Sequence, residues 1–394
     1  MASTPIIPCE LIVEILSWLP VKTLMRFRCV SKTWKSLIFN SYFVKLHLER
    51  TSRNMQVLLK LKDEDDDEPC TLASFCSTSS LIQNPASSFD DSHQHPFAPL
   101  KSILGSCNGL FCLHDSLFVD ECEEHWVRFW NPATKIMSEP SPRLCIRSPK
   151  KPYYTKRGYC YDDWSDTFKV VAMILEKKTQ QMNVWVYCMG DTCWKNILTC
   201  PSFSTFEQVG CSLDGTVNWI GFSREFYKRV TFADIEILEI LSYDVRTDSC
   251  RYLTVPDCNF QFFSEPYLAV LNDCLCVSID DERINFVVLL LIEVRDERSW
   301  TKLLNIPYES LQINTFLLGE LRILCLSGDV LLLANYEENG FILFNMKDNK
   351  VERTESFIDF EFHMVSFNYV PSLLLPHWKI YFLSNYASVV RTLS

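Results

Sequence analysis

Residues 8–38 read PCELIVEILSWLPVKTLMRFRCVSKTWKSLI, and the stretch holds more apolar side chains than so short a segment can bury within itself. Between Ile7 and Phe43, 21 of 37 positions are apolar, a denser run than the 47% of the whole chain. Cys9 to Leu19 reads as a helix whose polar residues Glu10, Glu14 and Ser17 recur at i, i+4, i+7, one narrow stripe on an otherwise apolar cylinder. Pro8 suits its first turn and Pro20 ends it. A second helix runs from about Val21 to Val30 and buries Leu24 and Phe27. Ser31 caps a third that carries Trp34, Leu37 and Ile38. Three helices in about 40 residues fall below the size at which a chain folds on its own core. Either they lie as a lid on the rest of this chain, or another protein covers them.

Length and charge bound the remainder. A chain of 394 residues accommodates one small and one large domain better than a single core. No basic leader or long apolar stretch opens it, and the most apolar run, FVVLLLI at 286–292, is too short to span a bilayer. The expectation is a soluble protein of the cytoplasm or nucleus, with no membrane partner. Its 18 cysteines then read as reduced, and several (Cys112, Cys188, Cys250, Cys325) sit singly in strand-like runs as small hydrophobes. No C-x-x-C occurs, and HQH at His93–His95 lies in a polar loop without evident co-ligands, so no metal or other cofactor is expected. Up to Lys62 the chain carries ten Lys and Arg against three Glu, a net +7; beyond it, 28 bases against 46 acids give −18. A DNA-reading helix pair needs a polar, basic recognition helix, and here the first helix is almost wholly apolar, so nucleic acid is not the expected partner. The acidic remainder favours a basic protein partner.

From Asp63, the run DEDDDE and then a loose mixture of Ser, Pro, His and Asp read as a solvated loop, while MQVLLKL at 55–61 reads as a strand that pairs with the large domain. After Ser102 the period becomes alternating and turn-punctuated. Turn signals fall at Asn108-Gly109, Asp162-Asp163, Asp214-Gly215, Asn272-Asp273 and Gly328-Asp329, spaced 54, 52, 58 and 56 residues apart. A period of about 50 residues is that of a kelch-type propeller blade. Other features keep step. FWNPAT, SYDVRT and LFNMKD each end a strand in an aromatic residue and Asn or Asp, and the loops GDTCW and RDERSW lead into Trp194 and Trp300, 106 residues apart. The fold class is therefore multi-domain, α plus all-β: three N-terminal helices, then a β-propeller-like domain of five to seven blades. The expected division is 1–48 helical, 49–101 connecting, and 102–394 propeller.

Taken in order, "EIL", "LPVK" and "R.RCVSK.W..LI" within residues 6–38 resemble an F-box, with Ile7 and Cys9 departing from the usual residues. GSCNGLFCL, WNPAT, GYCYDDWSDTFKVV, VYCMGDTCWKNI, LDGTVNWI and SWTKL, following it in order, resemble the F-box-associated domain of plant F-box proteins, including the S-locus-like branch. No Gly-Gly doublet of the kelch kind is present. The resemblance implies that a Skp-type adaptor covers the excess apolar face and links the chain to a cullin. It implies adaptor contacts at Pro8, Leu11, Ile12, Ile15, Leu16, Leu19, Pro20, Leu24, Val30 and Trp34. It further implies a substrate receptor of an SCF-type ubiquitin ligase; the alternative is an F-box scaffold or inhibitor that binds its partner without turnover.

Catalytic signatures are missing: no phosphate-cradling glycine loop, no G-x-S-x-G and no H-E-x-x-H. The paired acids Asp162-Asp163 and Asp280-Asp281 sit in turns, where Asp serves local hydrogen bonding. A non-catalytic receptor is expected, and a propeller enzyme would instead show a polar, metal-lined channel. The target protein is unknown. KKPYYTKRGYCYDDW at 150–164 interleaves aromatic and basic residues of the kinds enriched at interfaces, and singles out Tyr153, Tyr154, Lys156 and Arg157 as target contacts, with propeller core as the competing assignment.

Overall fold

Pro8 and Pro20 each open a helix in the computed structural model: their carbonyls accept the amides of Leu11 and Ile12, and of Thr23 and Leu24. The structure describes residues 8–51, 55–63, 71–83, 95–96, 102–147, 155–176, 179, 181–222, 237–256, 264–282, 284–313, 321–335, 340–354 and 362–376. Helices α1 (Cys9–Leu16), α2 (Val21–Phe27) and α3 (Lys32–Ile38) come in the expected order, and Ser31 Oγ accepts from Trp34 N at 3.1 Å. A fourth, α4 (Ser41–Thr51), follows, with Asn40 Oδ1 accepting from the amides of Tyr42 (3.0 Å) and Phe43 (3.4 Å). Its buried residues are Phe43, Val44, His47 and Thr51, so half of its inner face is polar and the apolar period is masked.

The helices do not stand apart. Leu16, Leu24, Ile38 and Phe43 share one core with propeller residues Leu104, Phe129 and Phe168 and with Leu373 and Leu374 beyond the last strand. Lys45 of α4 adds an ion pair to Asp166 at 2.9 Å.

Six antiparallel sheets make up the rest. Their inner strands, Ser102–Cys107, Thr155–Asp162, Cys211–Leu213, Tyr267–Leu271, Leu321–Ser327 and Phe362–Tyr369, each touch the next, and the last touches the first. The ring is a six-bladed propeller, in which every blade covers its neighbour's apolar face. All five turn signals lie between the first and second strands of blades 2 to 6. Both central residues have positive φ in Asn108-Gly109 (50° and 80°), Asp214-Gly215 (42° and 70°) and Asn272-Asp273 (48° and 60°), the geometry of a two-residue hairpin. Blade 1 has no such turn because two distant parts of the chain build it. Gln56–Asp63 pairs with Thr71–Ser77 on one side and with Phe362–Tyr369 on the other, Gln56 standing opposite both Ser77 and Tyr369. The strand expected at 55–61 thus joins the large domain, and much of the expected connecting segment enters blade 1 and helix α5 (Thr78–Gln83). Residues 64–70 of the acidic stretch, and His93, lie outside the described residues.

The remaining repeats have structural meaning too. Asn131, Asp244 and Asn345 end the third strands of blades 2, 4 and 6, and each Oδ1 accepts the amides two and three residues on, at 2.8–3.3 Å. Blades 3 and 5 use tryptophan instead. Trp194 Nε1 donates to Pro142 O at 2.9 Å and Trp300 Nε1 to Thr254 O at 3.1 Å, tying each blade to the one before. The 106-residue interval is therefore two blades. Asp162 caps the turn at Trp164 (3.0 Å) and pairs with Lys169 (2.9 Å), while Asp163 accepts from Arg246 (2.6 Å), so this acid pair is structural.

Candidate functional site

The polar stripe of α1 is tied to its own chain at Glu14 and Ser17, while Glu10 is exposed. Ser17 is fully buried, and Arg50, reaching across from α4, binds Glu14 Oε2 at 2.7 Å and Ser17 Oγ and lies 4.9 Å over the Trp18 ring. The Arg50 hydrogen bond, with one from Trp18, holds the Glu14 carboxyl below its usual range. Beneath this strap His47 sits at Nε2 2.9 Å from the carbonyl of Leu19; a carbonyl only accepts, so Nε2 carries the proton. Burial lowers the His47 pKa and favours the neutral ring. Beside the strap, an apolar flank of α1 and of the turn after it faces outward. Leu11, Ile15 and Trp18, at i, i+4, i+7, are 52%, 59% and 62% exposed, and Val30, at the end of the second helical segment, is 66% exposed. Aromatic and aliphatic side chains displayed in one row on a rigid helix are the material of a helix-mediated protein interface.

The expected adaptor contacts divide in two. Pro8, Leu11, Ile15, Pro20 and Val30 are exposed; Ile12, Leu19 and Trp34 are half-buried, Trp34 packing edge-on against Phe27 at 5.5 Å. Leu16 and Leu24 do not reach the surface: at 3% and 0% exposure they anchor the helices to the common core. An apolar cylinder has two apolar flanks, and sequence alone does not say which one the propeller takes. Trp18 was missed, although its place at i+7 from Leu11 was visible.

On the propeller, Tyr153 and Tyr154 lie outside the described residues. Lys156, expected at a target-contacting loop, is instead only 2% exposed in the inner strand of blade 3, and Arg157 is half-buried beside it. The strand begins at Thr155, and its packing between blades removes both side chains from open surface. Tyr159 is core, its hydroxyl accepting from Cys107 N at 3.0 Å. Trp164, from the same stretch, is exposed in the following turn.

The ring encloses a channel of about 550 Å³, lined in part by Ser102, Ser106, Glu207, Tyr267 and Arg322. Arg322 pairs with Glu207 at 2.9 Å and stacks 4.6 Å over Tyr267, so the charges at this wall neutralise each other. Among the described residues no three His, Cys, Asp or Glu side chains gather as a metal-binding group, and no helix is long and apolar enough to cross a membrane.

Comparison with known proteins agrees with this division of the chain. The profile of the F-box domain matches residues 5–46, and that of the F-box associated beta propeller domain matches residues 72–375. The F-box/kelch-repeat protein At3g23880 of Arabidopsis thaliana is 26% identical over 351 residues, covering 87% of this chain and 89% of that one. The putative F-box protein At3g52320 of the same plant is 25% identical over 369 residues, covering 89% and 87%. The two profiles meet this chain in the same order as its helical unit and its six-bladed ring, and the chain belongs to the F-box proteins that carry an F-box associated β-propeller domain.

Proposed function

We propose that this chain is the substrate-recognition subunit of an SCF-type ubiquitin ligase, acting in the cytoplasm or nucleus. In this reading the helical unit seats a Skp-type adaptor, which connects it to a cullin, and the propeller holds a target protein. The observation that carries the proposal is the row Leu11, Ile15, Trp18 with Val30: the helices already rest on the propeller through Leu16 and Leu24, yet this second apolar face stays open. Seating on the propeller uses only the inner face and gives no reason for the outer one to be apolar. The receptor's contribution is proximity. Holding a target beside the ubiquitin-loaded enzyme raises the effective concentration of its lysines.

The test is co-purification of adaptor with the full chain and with Leu11→Asp plus Ile15→Asp. Two carboxylates placed in an apolar interface cost several kcal/mol, while on the exposed face they leave the fold intact. Adaptor bound by the native chain and lost from a variant with unchanged circular dichroism supports the proposal. A native chain that binds no adaptor refutes it.

A further inference from the structure

The second and third strands of blade 2, Leu110–Val119 and Cys122–Asn131, have ten residues each, whereas the same two strands have six to eight in blades 4 to 6. The extra length goes into the end of the hairpin. Val119 pairs with Cys122 across the two-residue turn Asp120-Glu121, and Leu117, Phe118 and Val119 are 48%, 61% and 39% exposed. Successive strand residues point to opposite faces, so exposure of all three places both faces of the tip in solvent. A fifth strand, Leu144–Arg147, pairs with Cys122–His125, and its Leu144 and Ile146 are buried in the common core, so the projection has a packed base.

The tip carries charge of one sign. Asp115, Asp120, Glu121, Glu123 and Glu124 fall within ten residues, and no Lys or Arg occurs from 115 to 127. The fifth strand and its approach bring two bases: Arg143 pairs with Glu124, and Arg147 stands opposite Cys122. Five carboxylates against two guanidinium groups leave the apolar row with a negative rim, in which Asp120 and Glu121 are exposed. That sign selects the occupant. A second copy of this chain would set its own acids against these, and nucleic acid or an anionic membrane would be repelled in the same way. A basic protein segment gains twice, by covering the apolar row and by pairing with the rim.

The tip also lies at the far end of the strands from the helical unit. Lys45 of α4 meets Asp166 in the turn between the first and second strands of blade 3, whereas the tip joins a second strand to a third. The ten residues from Leu110 to Val119 span about 30 Å.

We propose that the hairpin tip of blade 2 is a docking surface for the target protein, and that it takes a basic segment in which an apolar side chain is flanked by lysine or arginine. The inference rests on the reading of the propeller as the target-holding unit. Phe118 supplies the largest apolar contact, and Asp120 and Glu121 pair with the flanking cations. Target and adaptor then occupy opposite ends of one ring.

The experiment titrates the full chain into a fluorescent peptide in which lysines alternate with valine and phenylalanine, and into its counterpart with glutamate in place of lysine, reading anisotropy. Amide hydrogen exchange with and without the lysine peptide then locates the contact. The expected result is binding of the lysine peptide alone, with exchange slowed at residues 115–124. Phe118→Ser weakens that binding about tenfold. Asp120→Asn with Glu121→Gln weakens it about fivefold at low salt and less at high salt. Equal binding of both peptides, no binding of either, or protection elsewhere on the chain overturns the proposal, as does unchanged affinity in both variants. Self-association in sedimentation that Phe118→Ser abolishes would give the tip to a second copy and overturn it too. The native exchange map decides the site whether or not a variant folds. Neither adaptor nor cullin enters the titration, so its failure leaves the adaptor co-purification with its own answer, and a chain that binds no adaptor can still bind the peptide.

Discussion

Asn131 donates its side-chain amide to the carbonyls of Ser372, at 2.9 Å, and Leu374, at 2.7 Å, fixing the chain beyond the last strand onto the turn that ends the third strand of blade 2. Its Oδ1 meanwhile accepts from Ala133 and Thr134. Asn131→Ala leaves the Ser372 and Leu374 carbonyls and the Thr134 amide without this partner, at about 1–3 kcal/mol each where water does not replace it, while the Ala133 amide keeps the Tyr369 hydroxyl. The expected loss is at least about 3 kcal/mol, read as a lower urea midpoint. A midpoint unchanged from the native chain would show that the clamp does not hold the ring.

The two tryptophan ties differ in depth. Trp194 is buried and Trp300 only half-buried. Trp194→Phe removes the hydrogen bond to Pro142 and part of the packing, for a loss of about 1–3 kcal/mol, and Trp300→Phe, whose partner carbonyl is open to water, costs less. Thermal unfolding of the two variants side by side should rank them in that order.

His114 and His125 share a hydrogen bond of 3.1 Å between Nε2 and Nδ1, with their rings stacked at 5.3 Å inside blade 2. The nitrogen that accepts must carry a lone pair, so at least one of the two rings is neutral. Burial, aided by the nearby Arg157 charge, lowers His114 to about 3 and His125 to about 4. As pH falls below about 6.5 the unfolded chain takes up protons that the folded chain refuses. The stability contribution is therefore complete above pH 6.5 and is lost on acidification, by up to about 1.4 kcal/mol per pH unit per histidine, until the folded pKa values are reached. Denaturation series at pH 7.5, 6 and 5 should show this slope, and His114→Phe with His125→Phe should flatten it.

Leu16 and Leu11, five residues apart on one helix, should fail in opposite ways. Leu16→Ala removes core and should cost about 2–5 kcal/mol of stability. Leu11→Ala should leave stability within about 0.5 kcal/mol, since its side chain is exposed, and yet weaken adaptor binding. Calorimetric unfolding and adaptor titration on both variants separate the inner face from the outer.

Much of this architecture could be read from residues alone, because hairpin chemistry is local. Turns built from Asn, Asp and Gly accept left-handed residues at little cost, so the recurrence of such pairs marks the inner hairpins of blades 2 to 6. Blade 1 escaped that count because its inner pairing joins Gln56 to Tyr369, a relationship that no local signal carries. Helix α4 escaped because His47 and Thr51 occupy buried positions as polar residues, satisfied by Leu19 O and by the helix's own carbonyl at His47. Lys156 was misread for a related reason. Aromatic and basic residues mark both interfaces and propeller interiors, and only the packing of blade 3 against blade 4 distinguishes them.

The split first blade also sets an order of events in the cell. Residues 56–77 leave the ribosome about 300 residues ahead of the strand Phe362–Tyr369 that completes their sheet, roughly 15–60 seconds at ordinary rates of synthesis. Through that interval the nascent chain carries unclosed strand edges that invite aggregation and chaperone capture. The N-terminal helices wait as well, since the core they join includes Leu373 and Leu374. A ribosome that stops short therefore releases a polypeptide whose F-box helices lack part of the core they rest on.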